Sequence, residues 1–211
     1  MTPLAARRGR PGYDLEQLLR VAAGLFTERG YDGTSMDDLS RRLGISKSAV
    51  YHHVRTKEDL LRLAVDRALD GLFALADEVA RHDGRALDRL EHLVRGSVLL
   101  LVDRLPFVTL LLRVRGNTAV ERAALDRRRE FDGIVTALVA QAVADGDLRT
   151  DIDPATAARL LFGMVNSLVE WYRPDGDVHA EALADAVTVT AFTGLRVRSD
   201  VPVGQAVQQR A

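Results

Sequence analysis

The feature that most constrains this chain is an apolar period of about 3.6 residues that runs along most of its length, broken at glycines, with almost no stretch that alternates every second residue. Over residues 14–29, Leu15, Leu18, Leu19, Ala22, Ala23, Leu25 and Phe26 share one helical face, and Gly30 follows where a helix stop is wanted. Ser35 with Asp38 and Thr56 with Asp59 have the spacing of reciprocal helix caps, and Ser46 caps another start between them. Short helices are therefore expected from Ser35 to Leu43 and from Lys47. A long one runs from Lys57 towards Ala80 and is broken by Gly84. Further helices are expected at 86–103, 105–114 (Pro106 fits a first turn), 118–144, 154–172 and 179–197. The result is an all-α chain of about nine helices, divided into a basic arm at 1–13, a short-helix domain at 14–60, a larger helical domain at 61–198 and a tail at 199–211.

Composition narrows the chemistry. The 211 residues include no cysteine, which removes disulfides, thiolate metal sites and Cys nucleophiles. The longest aliphatic run, Val98–Val102, is far short of the ~20 residues of a membrane span. The start also lacks the apolar segment of a signal peptide, so a cytoplasmic protein is expected. Net charge is −1, but Arg41, Arg42, Lys47, Arg55 and Lys57 fall within residues 41–57 without an acid, and the chain's only two lysines are both among them. In a chain otherwise committed to arginine, that placement suits a compact ammonium at two positions.

The stretch "DLSRRLGISKSAVYHHV" spells helix, glycine turn, helix, the arrangement in which a second helix enters the DNA major groove. On a wheel of 3.6 residues per turn, Lys47, Ser48, Tyr51, His52 and Arg55 face one way, and Ala49, Val50, His53 and Val54 the other. The outward set carries donors and no carboxylate, which suits phosphates and base edges. A metal site is the competing reading of His52 and His53. Neighbours on a helix diverge by about 100°, whereas a helical two-histidine site uses i,i+4 spacing, and no histidine pair here has it. Glu58 and Asp59 lie in a first helical turn, where acids complement the dipole. No metal ligands, cofactor or catalytic residues are expected. A small helical enzyme using His52, His53 and Glu58 and an architectural DNA binder without an effector stay open as alternatives.

Residues 31–61 resemble the DNA-binding segment of the TetR family of bacterial regulators, through Gly33-Thr34-Ser35, Gly44-Ile45-Ser46-Lys47, Tyr51-x-His53 and Lys57-Glu58-Asp59-Leu60. The resemblance implies that Ser35, Tyr51, His53 and Lys57 hold phosphates while Lys47, Ser48 and Ala49 approach bases. With Thr34, Ser46 and His52 these form the candidate DNA contacts. For His53 the family pattern and the wheel disagree, and Val54 replaces an aromatic common at its position. A near-palindromic operator bound by a homodimer is implied, with repression relieved by a small molecule.

The helices at 154–172 and 179–197 are the candidate dimer surface, the first being apolar on nearly all sides. Among the middle helices, apolar residues serve either as plain core or as the lining of an effector pocket, for which Phe73, Leu99, Phe107, Leu111, Arg113, Phe131, Val135, Phe162, Asn166, Trp171 and Arg173 are candidates. The segment "WYRPDG" at 171–176 resembles family members that respond to acyl-CoA or aromatic-acid CoA thioesters. Arg113, Arg115, Arg127, Arg128, Arg129 and Arg173 are available for CoA phosphates, or for surface pairs with Glu121, Asp126 and Glu130.

Overall fold

The computed structural model describes residues 14–195, which form nine α-helices and no strand. They are α1 (Leu15–Arg29), α2 (Met36–Leu43), α3 (Lys47–His53), α4 (Lys57–Arg81), α5 (Ala86–Asp103), α6 (Leu105–Arg113), α7 (Ala119–Ala144), α8 (Pro154–Trp171) and α9 (Ala180–Leu195). The expected basic arm at 1–13, the end of the last helix at 196–197 and the tail at 199–211 lie outside the described residues.

Two compact units divide the chain. Of the described residues, the first holds 14–70 together with Arg104–Asp126; the second holds Gly71–Asp103 and 127–195. A boundary at residue 60 falls inside α4, and α6 belongs with the N-terminal helices although it is remote from them in sequence. The physical reason is the apolar face of α1, which buries Leu18, Leu19, Ala22, Ala23, Leu25 and Phe26. Neither α2 nor α3 is long enough to cover it, and α1 packs against α6 more extensively than against α2. Phe107 and Leu111 of α6 are fully buried in this unit. Each such side chain is worth roughly 1.5–3 kcal/mol on burial. A handful of them rivals the ~5–15 kcal/mol margin of a whole domain. The Arg20 guanidinium lies 5.6 Å from the centroid of the Phe107 ring.

Local chemistry sets the short helices. Ser35 Oγ accepts from the Asp38 amide at 3.2 Å, and the Ser35 amide donates to the Asp38 carboxylate at 2.9 Å, so α2 starts on a complete reciprocal cap. It stops at Gly44, whose φ of 66° and ψ of 29° put it in the left-handed region, where a Cβ is strained. Ser46 caps α3 through the Ala49 amide, and Thr56 and Asp59 cap α4 reciprocally. Asp153, absent from the sequence expectation, caps α8 through the Thr156 amide at 2.9 Å.

In the second unit α5 packs along α9 and also against α8. Arg95 of α5 reaches Asp185 at 2.8 Å and Glu181 at 2.5 Å on α9. Phe131 joins Phe73 at 6.1 Å and Phe162 at 5.2 Å, both edge to face, an arrangement the ring quadrupole favours.

Candidate nucleic-acid interface

The reader helix α3 has only seven residues and cannot hold itself together in isolation. Val50 is fully buried and Val54 nearly so, which docks one side of the helix and leaves the other to solvent. Lys47, Ser48, Tyr51, His52 and Arg55 are exposed, with Tyr51 keeping 45 % of its surface although it is aromatic. Ala49 and His53 are half-buried, so His53 sits between the two positions that the wheel and the family pattern gave it. The His52 and His53 rings meet edge to face at 5.6 Å. Among the described residues no group of three or more His, Asp or Glu side chains could hold a metal ion.

Other candidate contacts are already engaged within the protein. Thr34, expected on the DNA face, is buried; its hydroxyl lies 2.8 Å from the Gly30 carbonyl and 3.3 Å from that of Leu25. It closes the α1–α2 turn and its hydroxyl is withdrawn from any phosphate. The Ser35 hydroxyl donates its proton to Asp38 at 2.6 Å, which leaves it an acceptor where a phosphate needs a donor. That bond, with the Ser35 amide and Arg41, holds the Asp38 carboxyl below the usual carboxylate range. Ser46 lies 2.9 Å from Ser48 through their hydroxyls. Lys57 is half-buried and donates to the carbonyls of Tyr31 (2.8 Å) and Thr34 (3.0 Å), with its ammonium 4.1 Å from the Tyr31 ring centroid. Two of its three protons thus brace the α1–α2 turn against the start of α4.

Three of the cations on α2 and α3 carry an acid. Arg41 pairs with Asp38 at 2.5 Å, Arg42 with Glu28 at 3.0 Å, and Lys47 with Asp37 at 2.9 Å. Arg55 has no such partner among the described residues, which makes it the open guanidinium of this face. The Asp37 carboxylate raises the Lys47 ammonium above its ordinary pKa, first through their hydrogen bond. Asp37 went unnoticed in the sequence because it precedes Lys47 by ten residues and reaches it only once α2 and α3 have packed.

The effector candidates are distributed over both units. Phe107 and Leu111 are buried in the core of the first unit. Arg113 borders a cavity of about 230 Å³ in that unit, whose lining also includes Arg29 and Arg115, the acids Asp32 and Glu121, and the apolar Phe26, Leu61, Leu110 and Val114. In the second unit Phe73, Phe131 and Phe162 form the aromatic cluster, and Val135 borders a groove of about 210 Å³ with Ala158 and Arg159. Leu99 and Asn166 are half-buried, and Arg173 is exposed. Trp171, expected as a pocket residue, is instead 53 % exposed, while the neighbouring Tyr172 is the buried aromatic of that helix end.

A capped helix, a left-handed glycine turn and a second helix that presents donors and no carboxylate define a helix-turn-helix DNA-binding protein. Family profiles make the class specific: that of the bacterial regulatory proteins, tetR family, matches residues 18–64, and that of the tetracyclin repressor-like C-terminal domain matches 83–195. The chain belongs to the TetR family and is a transcriptional repressor of that type. It is 31 % identical over 200 residues to the HTH-type transcriptional repressor KstR2 of Rhodococcus jostii (strain RHA1), covering 92 % of this chain and 98 % of that one. It is similar to the crystal structure of SCO3833, a TetR-family member from Streptomyces coelicolor A3, at 55 % identity and a TM-score of 0.78, covering 89 % and 94 % of the two chains. A further neighbour is AibR in complex with isovaleryl coenzyme A and operator DNA, at 28 % identity and a TM-score of 0.68, covering 84 % and 97 %.

Proposed function

We propose that this repressor works as a homodimer on a near-palindromic operator and is released from it by an acyl-CoA or aryl-CoA thioester. In this division of labour residues 14–60 read DNA, residues 61–198 pair the subunits and supply most of the effector site, and no catalytic step is involved. The protein acts in the cytoplasm, where its operator lies.

The observation that carries the dimer is the apolar surface left open at the end of the chain. Of the five large hydrophobic residues found exposed, Leu160, Trp171, Val178 and Val189 belong to α8, α9 or their connection, and Tyr51 is on the reader helix. Leu160, Gly163, Ser167 and Trp171 lie along one exposed stripe of α8, with Ala182, Ala186, Val189 and Thr193 exposed on α9. Gly163 has nothing within 4 Å of where a Cβ would stand. A mid-helix glycine costs about 1 kcal/mol against alanine; a partner helix approaching closely there supplies the reason to keep it. Leu160→Glu with Val189→Glu should halve the mass measured by light scattering and abolish operator binding, since one short reader helix contacts too few bases. A double variant that stays dimeric would refute the interface.

For the effector, two observations support the CoA class: the likeness to AibR, whose complex holds isovaleryl coenzyme A and operator DNA, and the cavity of the first unit, whose lining includes three arginines beside two acids. Its Arg115 guanidinium has no partner among the described residues, and guanidinium groups bind phosphate in fork geometry. A panel of short-chain, medium-chain and aryl CoA thioesters, scored by thermal shift and by release of a labelled operator, tests the class. A ligand at 100 times its Kd stabilises by about 2.7 kcal/mol, an easily measured shift. If no thioester moves either readout while free CoA and unesterified acids are equally silent, the CoA reading is wrong. Arg115→Ala should weaken any response.

A further inference from the structure

We propose that Asp37 is a specificity-determining residue of the DNA interface, aiming the Lys47 ammonium at a base edge and opposing its use on phosphate. Lys47 is the first residue of the reader helix, and its Nζ lies 2.9 and 3.0 Å from the two carboxylate oxygens of Asp37 in the first turn of α2. The pair therefore joins the two helices of the motif at the end of α3 that meets base edges.

A first-turn acid also complements the dipole of α2, but that role does not require the side chain to reach Lys47 on the next helix. The N-terminus of α2 already has its cap and its negative charge from Ser35 and Asp38. The docking of α2 on α3 is supplied by Leu39, Leu43 and Val50, all buried, and by the turn at Gly44. A side chain 61 % exposed beside the reader helix would meet a polyanion, and a carboxylate there opposes binding to any duplex. Non-specific binding is almost wholly phosphate electrostatics. Specific binding adds hydrogen bonds to base edges, of which lysine to the O6 and N7 of guanine is a common one. Lysine has three donors on a flexible stem. With part of the ammonium held by Asp37, its remaining protons are restricted in direction, and the charge is neutralised where no base acceptor meets it. The pairs Arg41 with Asp38 and Arg42 with Glu28 mute the phosphate attraction of the same face, which leaves Arg55 as its open cation among the described residues. The interface is built for selectivity at the expense of raw affinity.

The test uses the full chain and a duplex selected by it from a random pool, with an unrelated duplex of equal length as the non-specific probe. Asp37→Asn should tighten the unrelated duplex several-fold and steepen its salt dependence by about one unit per reader helix. The selected duplex should change little, so that the ratio of the two affinities falls roughly tenfold, within the range of one base contact. In a Lys47→Ala background, Asp37→Asn should move both affinities by the same factor. Asp37→Ser serves as a second variant of the same pair. Equal shifts on both duplexes with Lys47 present would reduce Asp37 to a bulk charge and overturn the proposal, as would an unchanged ratio. A wild type that selects no duplex refutes the DNA-reading function itself, and the proposal with it.

Discussion

Lys57 is expected to hold the DNA-reading unit together whether or not it also contacts phosphate, and Lys57→Met separates the two roles. The substitution keeps most of the stem and removes the ammonium that donates to Tyr31 O at 2.8 Å and Thr34 O at 3.0 Å. A buried charged hydrogen bond is worth about 1.5–3 kcal/mol; both carbonyls here are only part-buried and water can reach them, so about 1 kcal/mol each is the fitting figure. The ammonium above the Tyr31 ring adds about 0.5–1 kcal/mol at such a site. The sum is about 2–3 kcal/mol, which at ~2–4 °C per kcal/mol for a chain of this size lowers Tm by about 5–10 °C. The assay is a urea and thermal melt without DNA, with an unchanged m-value as the check that the unfolded state is the same. A residue that only neutralises phosphate gives a different pattern: an unaltered melt, with the salt dependence of operator binding shallower by about 0.9 for each phosphate no longer neutralised. An unaltered melt would refute the bracing role argued from these distances.

Gly44→Ala should cost about 1–2 kcal/mol from the left-handed backbone alone, because nothing lies within 4 Å of the added Cβ; a melt unchanged from wild type would contradict that conformation. Ser35→Ala should lower stability by about 1 kcal/mol at neutral pH through loss of the α2 cap. The Asp38 carboxyl, depressed chiefly by the Ser35 hydroxyl, contributes stability above the unfolded carboxylate value near pH 4 and loses it as pH falls through the lower folded value. Asp59, depressed first by Thr56, behaves in the same way. In an acid titration followed by circular dichroism, Ser35→Ala should therefore flatten the fall in stability below about pH 4 relative to wild type. Phe131→Ala should destabilise by about 3–5 kcal/mol, since the ring is buried between Phe73 and Phe162; a loss below about 1 kcal/mol would mean that the cluster collapses to fill the space.

The sequence by itself determined the elements of this protein. Period, caps and glycine stops are written within a few residues of one another, so the starts of α2, α3 and α4 at Ser35, Ser46 and Thr56 and the stop at Gly44 could be read one turn at a time. The outward set on α3 was equally legible, because one buried residue, Val50, fixes the rotation of so short a helix. Tertiary structure decided everything that depends on distant partners. Packing against α1 placed α6 and the 104–126 segment in the first unit and made core of Phe107 and Leu111. Closure of the α1–α2 turn buried Thr34 and engaged Lys57, from 23 residues away, with the Thr34 carbonyl. The same packing brought Asp37 to Lys47, and the unpartnered side of α8 turned Trp171 outward. A hydrogen bond between residues far apart in the chain leaves no periodic trace in the sequence. Its partners become visible only when the apolar faces that the period does reveal have found each other.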